Sequence, residues 1–184
     1  LFLLVTVMAL APSILVMTTS FIRIVIVLSF LRTAMGAQQT PPNQVLMALA
    51  LFLTFFIMSP TFEAAWDQGV RPYIDGQIDE KEAFKKSLKP LHNFMLKFVR
   101  DEDLKLFMDV ANTQPIATRD EVPIKVLIPA FIISELRRAF EIGFLVFIPF
   151  LVIDMVVASV LMSMGMMMLP PIIIALPFKI IFFV

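Results

Sequence analysis

Arg23, Asp154 and Lys179 are the charges set within otherwise apolar runs of this 184-residue chain, and such isolated charges are where chemistry is most conspicuous. A charge at the centre of a membrane helix costs roughly 2.5–3.5 kcal/mol on insertion scales, so each needs protein or water around it and a partner. Asp154 lies eleven residues before Gly165 and Lys179 eight after Pro171, on the two arms of one hairpin, which brings them to similar depth. Two chemistries fit. The acid could relay protons or ions, or acid and amine could form an ion pair that fixes hairpin register or subunit contacts. With a single acid in the run, the ion pair is preferred.

Other reactive constellations are missing. His92 is the sole histidine, with no second one to make a zinc pair or serve a serine nucleophile, and a solvated or packing role is expected for it. An intramembrane aspartyl protease needs two acids sharing a proton, and Asp154 stands alone. Gly36, Gly69, Gly76, Gly143 and Gly165 are too scattered for a phosphate-cradling loop. No cysteine is present, which excludes disulfides, thiolate metal sites and thiol catalysis. The expectation is a protein that is not an enzyme and holds neither metal nor cofactor.

The elements that position these charges follow from composition. Hydrophobic residues make up 59%, charged residues 16%, and the mean hydropathy is +0.90, against about 45–50% apolar and 25% charged in soluble domains. The apolar residues are gathered into runs long enough for a ~30 Å hydrocarbon layer, which takes about 20 helical residues. Residues 1–31 carry only Arg23, 45–62 no charge, 142–169 only Asp154 and 172–184 only Lys179. Residues 63–125 hold ten of the fifteen basic and twelve of the fifteen acidic residues, so that segment faces water. Its near balance of sign excludes nucleic acid as a partner.

These runs predict an all-α, polytopic membrane protein, with two long apolar helical hairpins flanking a polar helical segment. Its parts are an N-terminal hairpin over 1–62, the water-facing segment over 63–125 and a C-terminal hairpin over 126–184. Pro12 and Ser13 separate a short leading helix from a longer one, Ser13 to about Met35, ended by Gly36. Gln38 to Pro42 makes the tight polar connection of the first hairpin. Phe84, Leu88, Leu91, Met95 and Phe98 recur at helical spacing, interrupted or kinked at Pro90, and Glu102–Val110 forms a second amphipathic helix. Val126–Ile133, broken by Pro129, is too short to span, and a spanning helix is expected from Ile142 to Met164. The chain starts without methionine and stops inside an apolar run, which reads as part of a longer product.

The turn of the closing hairpin is Gly165, Met166, Met167, Met168, Leu169, Pro170 and Pro171. Turns between helices normally run through water and are polar. This one has no side chain that wants water, so it belongs in lipid, against partner protein or in a constriction. Met155, Ser159, Met162 and Met166 continue it as a helical stripe, for which packing is the preferred role. Several copies around an axis would bring thioethers together as a soft, water-excluding closure.

At this point the residues resemble the FliP family of the flagellar type III secretion export gate, over nearly the whole chain. The motifs are Thr19-Ser20-Phe21 followed by Arg23-Ile24, Leu31-Arg32 to Gly36, Pro41-Pro42-Asn43-Gln44-Val45, Phe52 to Pro60, Ile148 to Asp154, Gly165 to Pro171, and Leu176-Pro177-Phe178-Lys179. The injectisome gate is a close relative; Pro41 to Gln44 and Leu176 to Lys179 favour the flagellar branch. The resemblance implies a homo-oligomer of about five copies that joins FliQ and FliR, and other export-apparatus proteins, in the inner membrane at the flagellar basal body. Part of the assembly then faces the periplasm, unfolded flagellar proteins pass through it, and Met166, Met167 and Met168 form a seal around the closed pore. Phe94, Phe107 and Glu135 match positions implied to serve gate assembly, while the two phenylalanines equally fit as core residues. Beside this passive protein-conducting gate stand two other readings: an ion or proton transporter using Asp154, and an assembly scaffold without a pore.

Overall fold

A computed structural model describes residues 13–37, 40–112, 118–166 and 168–184 of the chain. It is all-helical among those residues, and two of its helical runs, Asn43–Ile74 and Ile124–Ser163, are long and apolar enough to cross a membrane. The chain divides by packing into two units, one of Leu1–Arg23 with Leu51–Arg137 and one of Ile24–Ala50 with Arg138–Val184.

The helix expected from Ser13 to Met35 is divided. Residues 13–18 are helical and a new helix, Phe21–Ala34, begins after Thr19 and Ser20. The reason lies in the hydroxyl side chains, which offer the backbone alternative partners. Thr18 Oγ1 donates to the Ile14 carbonyl at 2.9 Å, and Thr19 Oγ1 accepts from the Phe21 amide at 3.4 Å.

Asn43–Ala65 continues through a π-helical turn, Trp66–Val70, into Arg71–Ile74. Pro72 supplies a cause: it has no amide hydrogen and its ring crowds the carbonyl four residues back, and the wider turn relieves that. The Arg71 amide donates to the Trp66 carbonyl, five residues back. Gly69 in this turn lies directly against the next helix; a Cβ there would fall 1.9 Å from Ser87 Oγ and 2.7 Å from the Ala83 carbonyl oxygen and the Ser87 amide nitrogen. Only glycine lets the two backbones approach so closely.

That next helix, Glu80–Phe98, starts at Asp79, whose carboxylate accepts from the Glu82 amide at 2.9 Å. It runs through Pro90 as one helix, so the proline does not interrupt it. Its apolar stripe is the expected one at the C-terminal end, where Met95 is buried and Phe94 and Phe98 pack beside it, whereas Phe84 at the other end is exposed. Asp101–Val110 follows, and Arg119–Glu121 forms one 3₁₀ turn. Together they cover the start of the longest helix. Met95, Leu96, Val99, Leu104, Val122, Val126, Leu127, Ala130 and Phe131 form one buried core. Burying a side chain such as Leu127 or Phe131 contributes about 1.5–3 kcal/mol.

The longest helix corrects the sequence reading most. Ile124–Ser163 is one element of 40 residues, with Pro129 and Pro149 inside it. At 1.5 Å per residue it is about 60 Å long, roughly twice the hydrocarbon thickness. Its first three turns are apolar because they supply the core just described, not because they span. Ser134 and Glu135, which lie between the two apolar stretches, are fully buried.

The second unit contains the later part of this helix and the closing helix, Pro171–Phe183, with the connection after Ala34. Gly36 ends the preceding helix in a left-handed conformation, φ 76°, with its amide on the Thr33 carbonyl. Arg32 braces the connection by donating to the Pro41 carbonyl and to Asn43 Oδ1 at 2.6 Å. Phe30 meets Phe140 edge to face at 5.6 Å, as Phe150 does Phe182. Little of the spanning surface is covered by the chain itself: only 11% of the apolar window in Ile124–Ser163 is buried.

Candidate functional site

Each charge in the apolar runs has a partner on another helix, and two pairs result. In the first unit, Arg23 opens the helix after Ser20 and grips Glu135 with both edges of its fork. Nε donates to Oε2 at 2.8 Å and Nη2 to Oε1, while the guanidinium also lies 5.0 Å above the Phe98 ring. Glu135 is 0% exposed and Arg23 21%. A bidentate, charge-assisted contact of this kind engages both carboxylate oxygens, and a buried carboxylate requires such a partner.

In the second unit, Lys179 Nζ donates to Asp154 Oδ2 at 2.7 Å. The Lys179 side chain is 3% exposed and that of Asp154 33%, and Asp154 Oδ1 has no hydrogen-bond partner among the described residues. The two arms of the hairpin thus bring together the acid and amine whose depth the sequence matched. Gly165, at φ 73°, reverses the chain between them: its amide donates to the Met162 carbonyl and the Met166 amide to that of Leu161. Met166 is 44% exposed and Met168 98%; Met167 lies outside the described residues.

Phe94 and Phe107 are partly buried against the same core. The Phe94 ring meets Phe98 at 4.8 Å and the fully buried Phe131 at 6.0 Å. His92 bridges from this helix to the Val122 carbonyl at 2.8 Å; that oxygen can only accept, so the imidazole proton sits on Nε2. Among the described residues no group of three or more His, Cys, Asp or Glu side chains could hold a metal ion.

Sequence reasoning overlooked a polar network beside Glu135. Ser134 Oγ donates to Asp103 Oδ2 at 2.7 Å and accepts from the Arg100 amide at 3.0 Å, and Arg137 reaches the other Asp103 oxygen at 3.4 Å. Arg119 adds a clamp, donating to the Leu96 and Val99 carbonyls at 3.1 Å each, at the end of Glu80–Phe98. Asp103 had no distinguishing signal, because Asp101, Glu102 and Asp103 form one acidic first turn in which two members are exposed and one is buried.

Taken together, the fold and these pairs define a polytopic α-helical membrane protein whose embedded charges are neutralised across helices. The family model described as "FliP family" matches residues 4–184, and the chain belongs to that family. It is 61% identical over 181 residues to the flagellar biosynthetic protein FliP of Caulobacter vibrioides, covering 98% of this chain and 68% of that protein. The Bacillus subtilis protein of the same name is 56% identical over 184 residues, covering 100% of this chain and 83% of the relative. That of Agrobacterium fabrum is 53% identical over 183 residues, covering 98% and 75%.

Proposed function

We propose that this chain is a subunit of the export gate of the bacterial flagellar type III secretion system. It sits in the inner membrane at the flagellar basal body, in an assembly part of which faces the periplasm. About five copies, together with FliQ and FliR, surround a path for unfolded flagellar proteins, and Met166, Met167 and Met168 close that path between transport events. The role is passive, with neither catalysis nor a cofactor, and the energy for transport comes from elsewhere. Family membership supports the flagellar role.

The observation that carries the seal is Met168, 98% exposed at an apolar turn between two apolar helices. A side chain so free of its own chain is available to copies around an axis, and an unbranched thioether yields when a chain passes. The paired state of Asp154 supports a structural role for that acid over an ion relay, since its charge is already balanced by Lys179.

The test replaces Met166, Met167 and Met168 together by alanine. Ion conductance across membranes carrying the assembled gate is then expected to rise while assembly is kept, whereas bulky, stiff replacements block secretion of a flagellar subunit without leak. Unchanged conductance in the assembled triple alanine variant removes the seal and leaves the turn as packing.

A further inference from the structure

The water-facing part of the first unit carries a groove of about 830 Å³ between the Glu80–Phe98 helix and the segment entering the long helix. Its floor and far wall include Leu88, Val122 and Ile124, and its near wall carries Lys85, Lys89 and Lys97. Lys85 and Lys89 are exposed, one helical turn apart, and neither makes an ion pair among the described residues. Of the charges on the opposite rim, Arg119 is already held by Asp101 at 3.2 Å, and Asp120 is the single acid. The groove is therefore apolar at its base and cationic along one side.

The same unit presents the complementary surface elsewhere. On the Asp101–Val110 helix, Asp103 and Leu104 turn inward, while Glu102, Lys105, Leu106, Asp109 and Val110 fall at spacings of three, one, three and one on the exposed face. Leu106 is 55% and Val110 71% exposed, large values for aliphatic side chains outside the apolar runs. Glu102 is loosely held, 3.6 Å from Arg137 with its side chain 76% exposed, and Asp109 makes no ion pair among the described residues. Two acids, one lysine and two aliphatics at helical spacing face outward, a stripe still net acidic and apolar, which matches a groove with unpaired lysines and an aliphatic floor.

We infer that the occupant of the groove is the Asp101–Val110 helix of a second copy of this chain, with Glu102 and Asp109 against Lys85 and Lys89, and Leu106 and Val110 over the groove floor. Groove and stripe are different surfaces of one unit, so the contact is head to tail. Contacts of that kind propagate around a ring or along a helix instead of stopping at a pair. The inference rests on the oligomer proposed above and assigns the surfaces through which its copies meet.

The absence of cysteine from the chain makes the test direct. Full chains bearing Lys89→Cys and Asp109→Cys, each with its own tag, are co-expressed with FliQ and FliR and oxidised in the membrane. A disulfide-linked band carrying both tags is expected, with none when either variant is expressed alone. Separately, Lys85→Glu with Lys89→Glu, or Glu102→Lys with Asp109→Lys, should each lower the yield of multimer in mild detergent by about tenfold or more, because like charges then face each other. Chains carrying all four changes should recover it. Multimers at full yield in both reversed variants, with no mixed cross-link, overturn the inference while leaving the oligomer intact. A loss that the four-fold variant does not restore assigns the groove to another occupant, such as an anionic headgroup or a different subunit, and also overturns it. A wild-type chain that stays monomeric with FliQ and FliR present refutes the oligomer itself.

Discussion

Removing either member of the Arg23–Glu135 pair should destabilise the protein strongly, and by unequal amounts. Glu135 is 0% exposed and Arg23 21%, so the two stranded charges meet different surroundings. Arg23→Met leaves a carboxylate with no water and without its two charge-assisted hydrogen bonds, which places the loss at the upper end of the ~3–5 kcal/mol typical of a broken buried pair. Glu135→Gln keeps the shape and one acceptor. The guanidinium retains partial hydration and the Phe98 face, a contact of about 0.5–1 kcal/mol, so a loss of about 2–3 kcal/mol is expected, the scale of a hydrogen bond to a charged group. Arg23→Met with Glu135→Gln removes both charges and should cost clearly less than the two single losses added together. The coupling in such a cycle is then about 3 kcal/mol, a large fraction of a domain stability of ~5–15 kcal/mol. The assay is unfolding of the full chain in mixed micelles of increasing denaturing detergent, followed by helical circular dichroism. A double variant whose loss equals the sum of the two single losses would refute the argument, because the side chains would then contribute independently.

Asp154 and Lys179 allow a parallel prediction with the order reversed. Lys179 is 3% exposed and Asp154 33%, so Asp154→Leu, which strands the buried ammonium, should reduce assembly in native mass spectrometry more than Lys179→Leu. The double leucine variant should recover assembly and export; full assembly with export and ion flux both abolished would favour the relay instead. Gly69→Ala should destabilise by at least about 1–3 kcal/mol, because the new methyl meets backbone atoms of Ala83 and Ser87 at 2.7 Å and these cannot rotate away as the Ser87 hydroxyl can. At roughly 2–4 °C per kcal/mol for a chain of this size, a lower thermal midpoint is readily measured, and an unchanged midpoint contradicts the close packing of that turn.

Much of the architecture was legible in local sequence. The apolar runs and the stripe from Leu88 to Phe98 each depend on residues within a few turns of one another, and neighbours alone determine such periodicity, while Gln38 and Gln39 of the expected connection lie outside the described residues. The same holds for Asp154 and Lys179: a tight turn at Gly165 makes depth along each arm a matter of counting residues. The limits of the elements were less legible. Pro90 and Pro129 read as interruptions, yet each lies inside a continuous helix, because packing on neighbouring helices can outweigh the one hydrogen bond that proline removes.

By itself, then, the sequence determined that the protein is helical, that it carries helices apolar enough to span a membrane with a polar helical segment between them, and that a few charges stand within apolar surroundings. Tertiary structure alone decided which of the polar residues are interior. Arg23 meets Glu135 across 112 positions of sequence, and Ser134 meets Asp103 across 31. Nothing local marks Asp103 apart from exposed Asp101, or Val126 to Phe131 as core and not a failed membrane span. The physical reason is that a helix's apolar face is written in its own residues, whereas burial of a charge depends on which other helix arrives with the complementary group, and the ion pair exists only once both have packed.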